Sequence, residues 1–188
     1  VVGIGSTPFG VIPGYDSNAL AVRALHEALA DAGLKPSDID GLVLATTTPD
    51  RQVPATSAAV ARELGLTCGA FDINAACSGF VYALAVAHGL IAIGSQKVLL
   101  VGTDTLSRIT DWTDRNTAVL FADGSGAAVL EAVDGAGHRQ YVCARYGPGV
   151  ALRAIDLAGG TAGIAFGAVV ALTSFRGAYA VVALASLA

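Results

Sequence analysis

The sequence has no methionine, a single tryptophan and three cysteines. Three thiols at Cys68, Cys77 and Cys143 cannot build a disulfide framework. With no CxxC pair and only three histidines, a metal site is not expected either. A reducing, cytoplasmic compartment is the simplest expectation. Charge is scarce as well: 14% of the residues are charged, the net charge is −4, and no basic run occurs. That composition argues against nucleic acid as the main partner. The chain opens at Val1 with VVGIGSTPF and no basic leader, so it does not read as a signal peptide. An origin inside a longer reading frame, or a lost initiator, is expected from the missing Met. No internal repeat is found.

Apolar side chains are plentiful. Hydrophobic residues make up 54% of the 188, and the mean hydropathy is +0.62. One sizeable core is expected. Residues 1–9 read as a strand closed by Pro8 and Gly10. Asp16, Ser17 and Asn18 offer helix caps before ALAVRALHEALADAGL, which stops at Gly33. GLVLATTT (41–48), CGAFDIN (68–74) and KVLLVGTD (97–104) read as strands. PATSAAVARELGL reads as a helix with Pro54 near its first turn. A second apolar helix is predicted from Cys77 to about Ile93. A polar loop, SRITDWTDRNT (107–117), precedes AVLFADGSGAAVLEAV. Strands alternating with helices predict an α/β fold with a substantially parallel sheet. After Val133 the character changes, and residues 157–175 carry no charge. Their length is borderline for a membrane crossing, but they are rich in Gly and Ala, so a membrane span is not the expectation.

Cys77 stands in NAACSGF (74–80), between an apolar strand and an apolar helix. At a helix start the partial positive charge favours a thiolate. Small neighbours admit a substrate carbonyl, and first-turn N–H groups offer oxyanion donors. A strand–Cys–helix junction is therefore a workable acyl-transfer site. A small buried Cys packed among alanines explains the residue about equally well on these grounds alone.

The run DINAACSGFVYAL resembles the nucleophile motif of β-ketoacyl-acyl-carrier-protein synthase III, an initiating condensing enzyme of the thiolase superfamily. The resemblance extends, in order, through VLATTTPDRQVPATSAAVARELG and KVLLVGTDTLSRITDWTDRNTAVLFADGSGAAVLEA, about residues 41–132. Residues 1–43 suit a thiolase-type protein nearly as well. The resemblance implies a thiolase-like fold, with this chain as the first half of its duplicated αβαβα architecture. Residues 1–134 would form that half, and 135–188 a divergent or truncated tail.

It further implies an acyltransferase of fatty-acid initiation, in which Cys77 takes the acyl group from acyl-CoA for condensation with malonyl-acyl-carrier protein. Acyl-CoA is then a substrate, with no separate cofactor. The acyl-carrier protein is a partner, and a homodimer is implied. Arg115 matches the position that stacks on the CoA adenine, which suits a planar guanidinium. Trp112 would line the CoA entrance, and Val53 matches a position near the acyl tunnel. Two alternatives stay open: a thiolase-like acyltransferase, and a non-catalytic remnant that binds acyl-CoA or dimerises.

Two departures stand out. The family's condensing His and Asn lie in its second half, and neither His26, His88 nor His138 reads as a partner for Cys77. The CoA-gripping segment that follows the family's first strand is reduced here to residues 10–16. Asn74 is read as a local turn residue, Asp123 as a strand-end carboxylate, and Gly124 and Gly126 as close-packing positions. The expectation is a chain that acylates without condensing.

Overall fold

Strict alternation along two strands decides how this protein is layered. In the computed structural model, which describes residues 1–133, Gly41–Ala45 (β2) is buried along its whole length. Leu42 and Leu44 enter one core with Leu99, Val101, Ala127 and Val129, whereas Val43 and Ala45 enter a second with Val98, Leu100, Ala128 and Leu130. A strand covered on both faces reads as a continuous apolar run, as GLVLA does. The first core is closed by helices Ser17–Ala32 (α1) and Thr56–Leu64 (α2), the second by Gly79–Ala92 (α3).

The other strands are Gly3–Ser6 (β1), Gly69–Ile73 (β3), Lys97–Thr105 (β4) and Asp123–Glu131 (β5), and the sheet order is β1-β5-β4-β2-β3. Strands β2, β3 and β4 are parallel, whereas β5 runs antiparallel to both β4 and β1. The sheet is thus mixed, where the sequence pattern suggested a more uniformly parallel one. The reason lies in residues 106–122. They hold only a 3₁₀ turn, Leu106–Arg108, and the four-residue helix Arg115–Ala118 (α4), too little for a crossover to the far end of the sheet. The chain therefore turns back beside β4, and its ladder runs from Lys97↔Glu131 to Thr105↔Asp123.

Helix ends follow the sequence closely. The Asp16 carboxylate accepts from Ala19 N–H at 2.8 Å, and Gly33 closes α1 in the left-handed conformation with φ 67°. The start of α2 is a correction. It begins at Thr56 rather than at Pro54, which lies just before the capping residue Ala55. The Asp72 carboxylate on β3 accepts from Thr56 N–H and Ser57 N–H at 2.9 and 2.8 Å, which fixes the first turn two residues later. The proposed tail, 135–188, with Cys143, His138 and the uncharged run, lies outside the described residues. No helix among the described residues is long and apolar enough to cross a membrane.

Helix α1 presses tightly onto β1. A Cβ on Gly5 would stand 2.1 Å from the Ala24 carbonyl oxygen, and one on Gly3 would stand 2.3 Å from that of Ala28. The same closeness lets α1 reach around the strand. Asp31 accepts from Ile4 N–H at 3.0 Å and Glu27 from Ser6 N–H at 2.8 Å, so side chains cap the outer edge of β1. Gly5→Ala should lower the unfolding free energy by about 1–3 kcal/mol, because backbone rather than a movable side chain must yield. Gly69→Ala, whose Cβ meets nothing within 4 Å, should stay within about 0.5 kcal/mol. Urea melts of both variants check the contrast. Equal midpoints would show that α1 does not need this approach.

Candidate active site

Strands β2, β3 and β4 end at the same edge of the sheet, and β5 begins there. In open α/β sheets ligands gather at that carboxyl edge. The sequence-predicted residues arrive there on separate connections: Val53 after β2, Cys77 after β3, and Trp112 and Arg115 after β4.

Cys77 is exposed and sits in a one-turn 3₁₀ helix, Ala76–Ser78, directly before α3. The predicted helix thus starts two residues later than the thiol, with Cys77 on its threshold. Ala76 has φ 48°, a left-handed conformation that costs an L-residue roughly 1–2 kcal/mol. The surroundings hold it there. Asn74 Oδ1 accepts from Ala76 N–H at 3.3 Å, and Ser78 N–H donates to the Ala75 carbonyl at 3.1 Å. The turn-forming role read for Asn74 is the one it plays. Gly79 then lets α3 approach β2, since a Cβ there would lie 3.2 Å from Ala45 Cβ. No side chain caps the first turn of α3, and the Gly79 N–H donates to the Ala76 carbonyl.

Carboxylates fix the surrounding loops. Asp104 Oδ1, at the end of β4, accepts from Thr47 N–H and Oγ1 at 2.8 Å, Thr48 Oγ1 at 3.0 Å and N–H at 3.2 Å, and Thr46 Oγ1 at 3.3 Å. Asp50 takes Ser17 N–H and Asn18 N–H at 3.1 and 2.9 Å and pairs with Arg108 at 2.7 Å. Asp123 is buried and takes Ile12 N–H, Ser107 N–H and Ser107 Oγ. It is a loop-fixing carboxylate, in keeping with its reading from sequence. Gly124 is also a packing position, because a Cβ there would come within 2.2 Å of the Phe9 ring. The role of Asp104 was missed from sequence. The signal lay in three consecutive threonines at one strand end and an aspartate at the end of another.

In the 107–117 loop, Asp111 accepts from Thr113 and Asp114 from Thr117 and Asn116, and these donors hold both carboxyls below the usual range. Their folded-state pKa values are depressed, so these caps are present at neutral pH and are lost as acid protonates them. Because both aspartates are engaged locally, Arg115 is not their ion-pair partner and remains exposed at the head of α4, unpaired among the described residues. Trp112 is half exposed at 47%, its indole N–H donating to the Ser107 carbonyl at 3.2 Å. Val53 is exposed. His26 is exposed on α1 and His88 half-buried on α3. His88 lies eleven residues past Cys77, about 16 Å along the helix axis.

Comparison with known proteins places these features. Residues 71–147 match the family model for 3-oxoacyl-[acyl-carrier-protein] synthase III. The chain belongs to the β-ketoacyl-acyl-carrier-protein synthase III family. Relatives of that name from Cereibacter sphaeroides, Rhodobacter capsulatus and Brucella suis are 52% identical over 126 residues, 66% of this chain. The chain aligns with 39% of the length of each. Among solved structures, the synthase III of Aquifex aeolicus superposes with a TM-score of 0.68 at 33% identity, covering 71% of this chain and 53% of that one. The Pseudomonas aeruginosa synthase gives 0.67 at 38% identity, covering 72% and 52%. The thiolase-like α/β reading of the fold therefore holds.

Two outcomes follow from the geometry. Iodoacetamide should label Cys77 before Cys68, because Cys77 is exposed and burial raises the Cys68 thiol pKa above its ordinary value. Peptide mapping across pH should show Cys68 labelling rise at the more alkaline end; a Cys77 that labels only after denaturation would remove it as a nucleophile. Ala76→Gly should raise stability or leave it unchanged, by up to about 1 kcal/mol, since glycine tolerates φ 48°. A loss of 1 kcal/mol or more in denaturant melts would contradict a strained elbow.

Proposed function

We propose that this chain is an acyltransferase of the synthase III type, with Cys77 as its nucleophile and acyl-CoA as its acyl donor. The observation that carries the proposal is the exposed thiol on a strained turn, at the head of a helix whose first N–H groups no side chain caps. The Cys77 thiolate attacks the thioester carbonyl, the developing oxyanion is held by the Cys77 backbone N–H, since the Ser78 and Gly79 N–H groups already donate to the Ala75 and Ala76 carbonyls, and the CoA thiolate leaves, with the acyl group now on the Cys77 sulfur. The unpaired Arg115 guanidinium is the group we assign to the CoA nucleotide, with the Trp112 ring beside the entrance.

The second half-reaction we assign is decarboxylative condensation with malonyl-acyl-carrier protein, which would give the β-ketoacyl-acyl-carrier protein for which the family is named. It requires stabilisation of an enolate next to the acylated sulfur. Among the described residues neither His26 nor His88 is within reach of Cys77. A positioned acid or base contributes roughly 10²–10⁴-fold, so the described half acylates without condensing. We assign the protein to the cytoplasm on its thiol chemistry and substrates.

The homodimer is supported by the two sheet edges. The outer N–H groups of β1 are taken by Asp31 and Glu27, whereas β3 ends the sheet on the other side with Phe71 exposed. An open edge invites pairing with a second copy.

Incubation of the 188-residue chain with radiolabelled acetyl-CoA should give a slow protein label that Cys77→Ala abolishes, and Arg115→Ala should raise the half-saturating acetyl-CoA concentration several-fold. Malonyl-acyl-carrier protein should yield no acetoacetyl product above background. Label that persists in Cys77→Ala would overturn the assignment, and robust product would overturn the division of labour. In light scattering at micromolar concentration, Phe71→Lys should shift the chain toward monomer. A wild-type monomer would remove the β3 interface.

A further inference from the structure

We propose that Asp104 is a positioning residue of this site, one carboxylate oxygen that sets the two acyl-CoA-bearing loops relative to each other. Five donors from three consecutive residues converge on its Oδ1, two backbone N–H groups and three threonine hydroxyls, at 2.8–3.3 Å. Such convergence is a nest built for a negative charge, and a neutral oxygen satisfies it poorly. Asp104 lies on β4, and the donors lie just past the end of β2, so the contact ties one strand exit to the next.

The tie extends in both directions. Thr48 Oγ1, itself donating to Asp104, accepts from Thr105 N–H at 2.8 Å. The Thr105 hydroxyl meets Ser17 Oγ at 3.0 Å, and Ser17 Oγ donates to the Thr48 carbonyl at 2.7 Å. Thr105 opens the connection that carries Trp112 and Arg115, and Thr48 opens the one that carries Val53. The elbow is joined more lightly. Thr46 N–H donates to the Ile73 carbonyl at 3.1 Å, and Cys77 takes no part in the network. Losing the carboxylate therefore loosens the loops that meet acyl-CoA while leaving the thiol on its own turn.

The acyl-CoA readout rests on the acyltransferase reading above; the loop readout does not. Asp104→Ala and Asp104→Asn are made in the full chain, with Glu131→Gln as a surface control. Amide exchange is followed at Thr47 and Thr48, acylation as a function of acetyl-CoA concentration, and Cys77 alkylation by iodoacetamide. In Asp104→Ala the Thr47 amide should exchange about tenfold faster or more, since it loses its charge-assisted acceptor, and the Thr48 amide, which also donates to Thr46 Oγ1 at 3.1 Å, should speed up less. Acylation efficiency should drop about tenfold, while alkylation of Cys77 changes less than about twofold. Asp104→Asn keeps an acceptor but no charge and should fall between, and it carries the test if the alanine variant does not fold. Unchanged exchange at Thr47 and Thr48 would overturn the proposal, and so would alkylation falling in step with acylation. If the wild type takes up no label, the acyltransferase reading fails, and the exchange rates still decide whether Asp104 holds the loops.

Discussion

Carboxylates accepting backbone N–H groups hold together the end of the sheet where the chemistry is proposed. Asp50, Asp104 and Asp123 each stand at a strand end or connection and each take amides from a segment distant in sequence. Between them they join the start of α1, the β2 exit, the β4 exit and residues 10–12. Loops have no ladder to satisfy their N–H groups, so a charged acceptor that serves two segments at once supplies both hydrogen bonding and relative placement. The same device recurs where chemistry is not proposed: Asp72 starts α2, Asp40 takes Gln96 and Lys97 N–H, and Asp31 and Glu27 close the edge of β1. Much of the small acidic content of the chain is used structurally, which fits its low charge despite a net −4.

The elbow at Cys77 works differently. Its placement comes from small residues and strain rather than charge. Ala76 takes a left-handed φ, Gly79 allows α3 to settle against Ala45, and Asn74 anchors the turn. Strain of this kind persists only where packing on either side over-determines it. Here β3 ends on one side and α3 packs into the second core on the other. The outer side of α3 is a separate matter. Tyr82 is exposed there and Ile93 just past its end, so an apolar helix is covered on one side only among the described residues.

Much of this was legible in the sequence. A cap among Asp16, Ser17 and Asn18, the stop at Gly33, four of the five strands and the thiol at a strand–helix junction follow from periodicity, capping chemistry and turn residues. What was not legible depends on contacts across long separations. Nothing local in PATSAAVARELGL says that Asp72 will set its first turn. Nothing in KVLLVGTD says that its aspartate will gather three threonines from another strand's end. The antiparallel placement of β5 was hidden for a related reason: the 106–122 connection is long enough to suggest a crossover, and only its lack of a substantial helix forbids one. Arg115 shows the opposite case. Its freedom from Asp111 and Asp114 follows from those aspartates capping their own turns, a local pattern that D-x-T and D-x-x-T spacing could have revealed.

The claim that most needs a direct measurement is that the acyl group resides on Cys77 as a thioester. Intact-mass spectrometry of the chain after acetyl-CoA treatment, with peptide localisation and hydroxylamine release, measures this without reference to any later step. The account predicts one hydroxylamine-labile acetyl group per chain, confined to the peptide bearing Cys77, with free CoA released in equal amount. Acetylation spread over lysines or over Cys68, or a hydroxylamine-stable adduct, would contradict it.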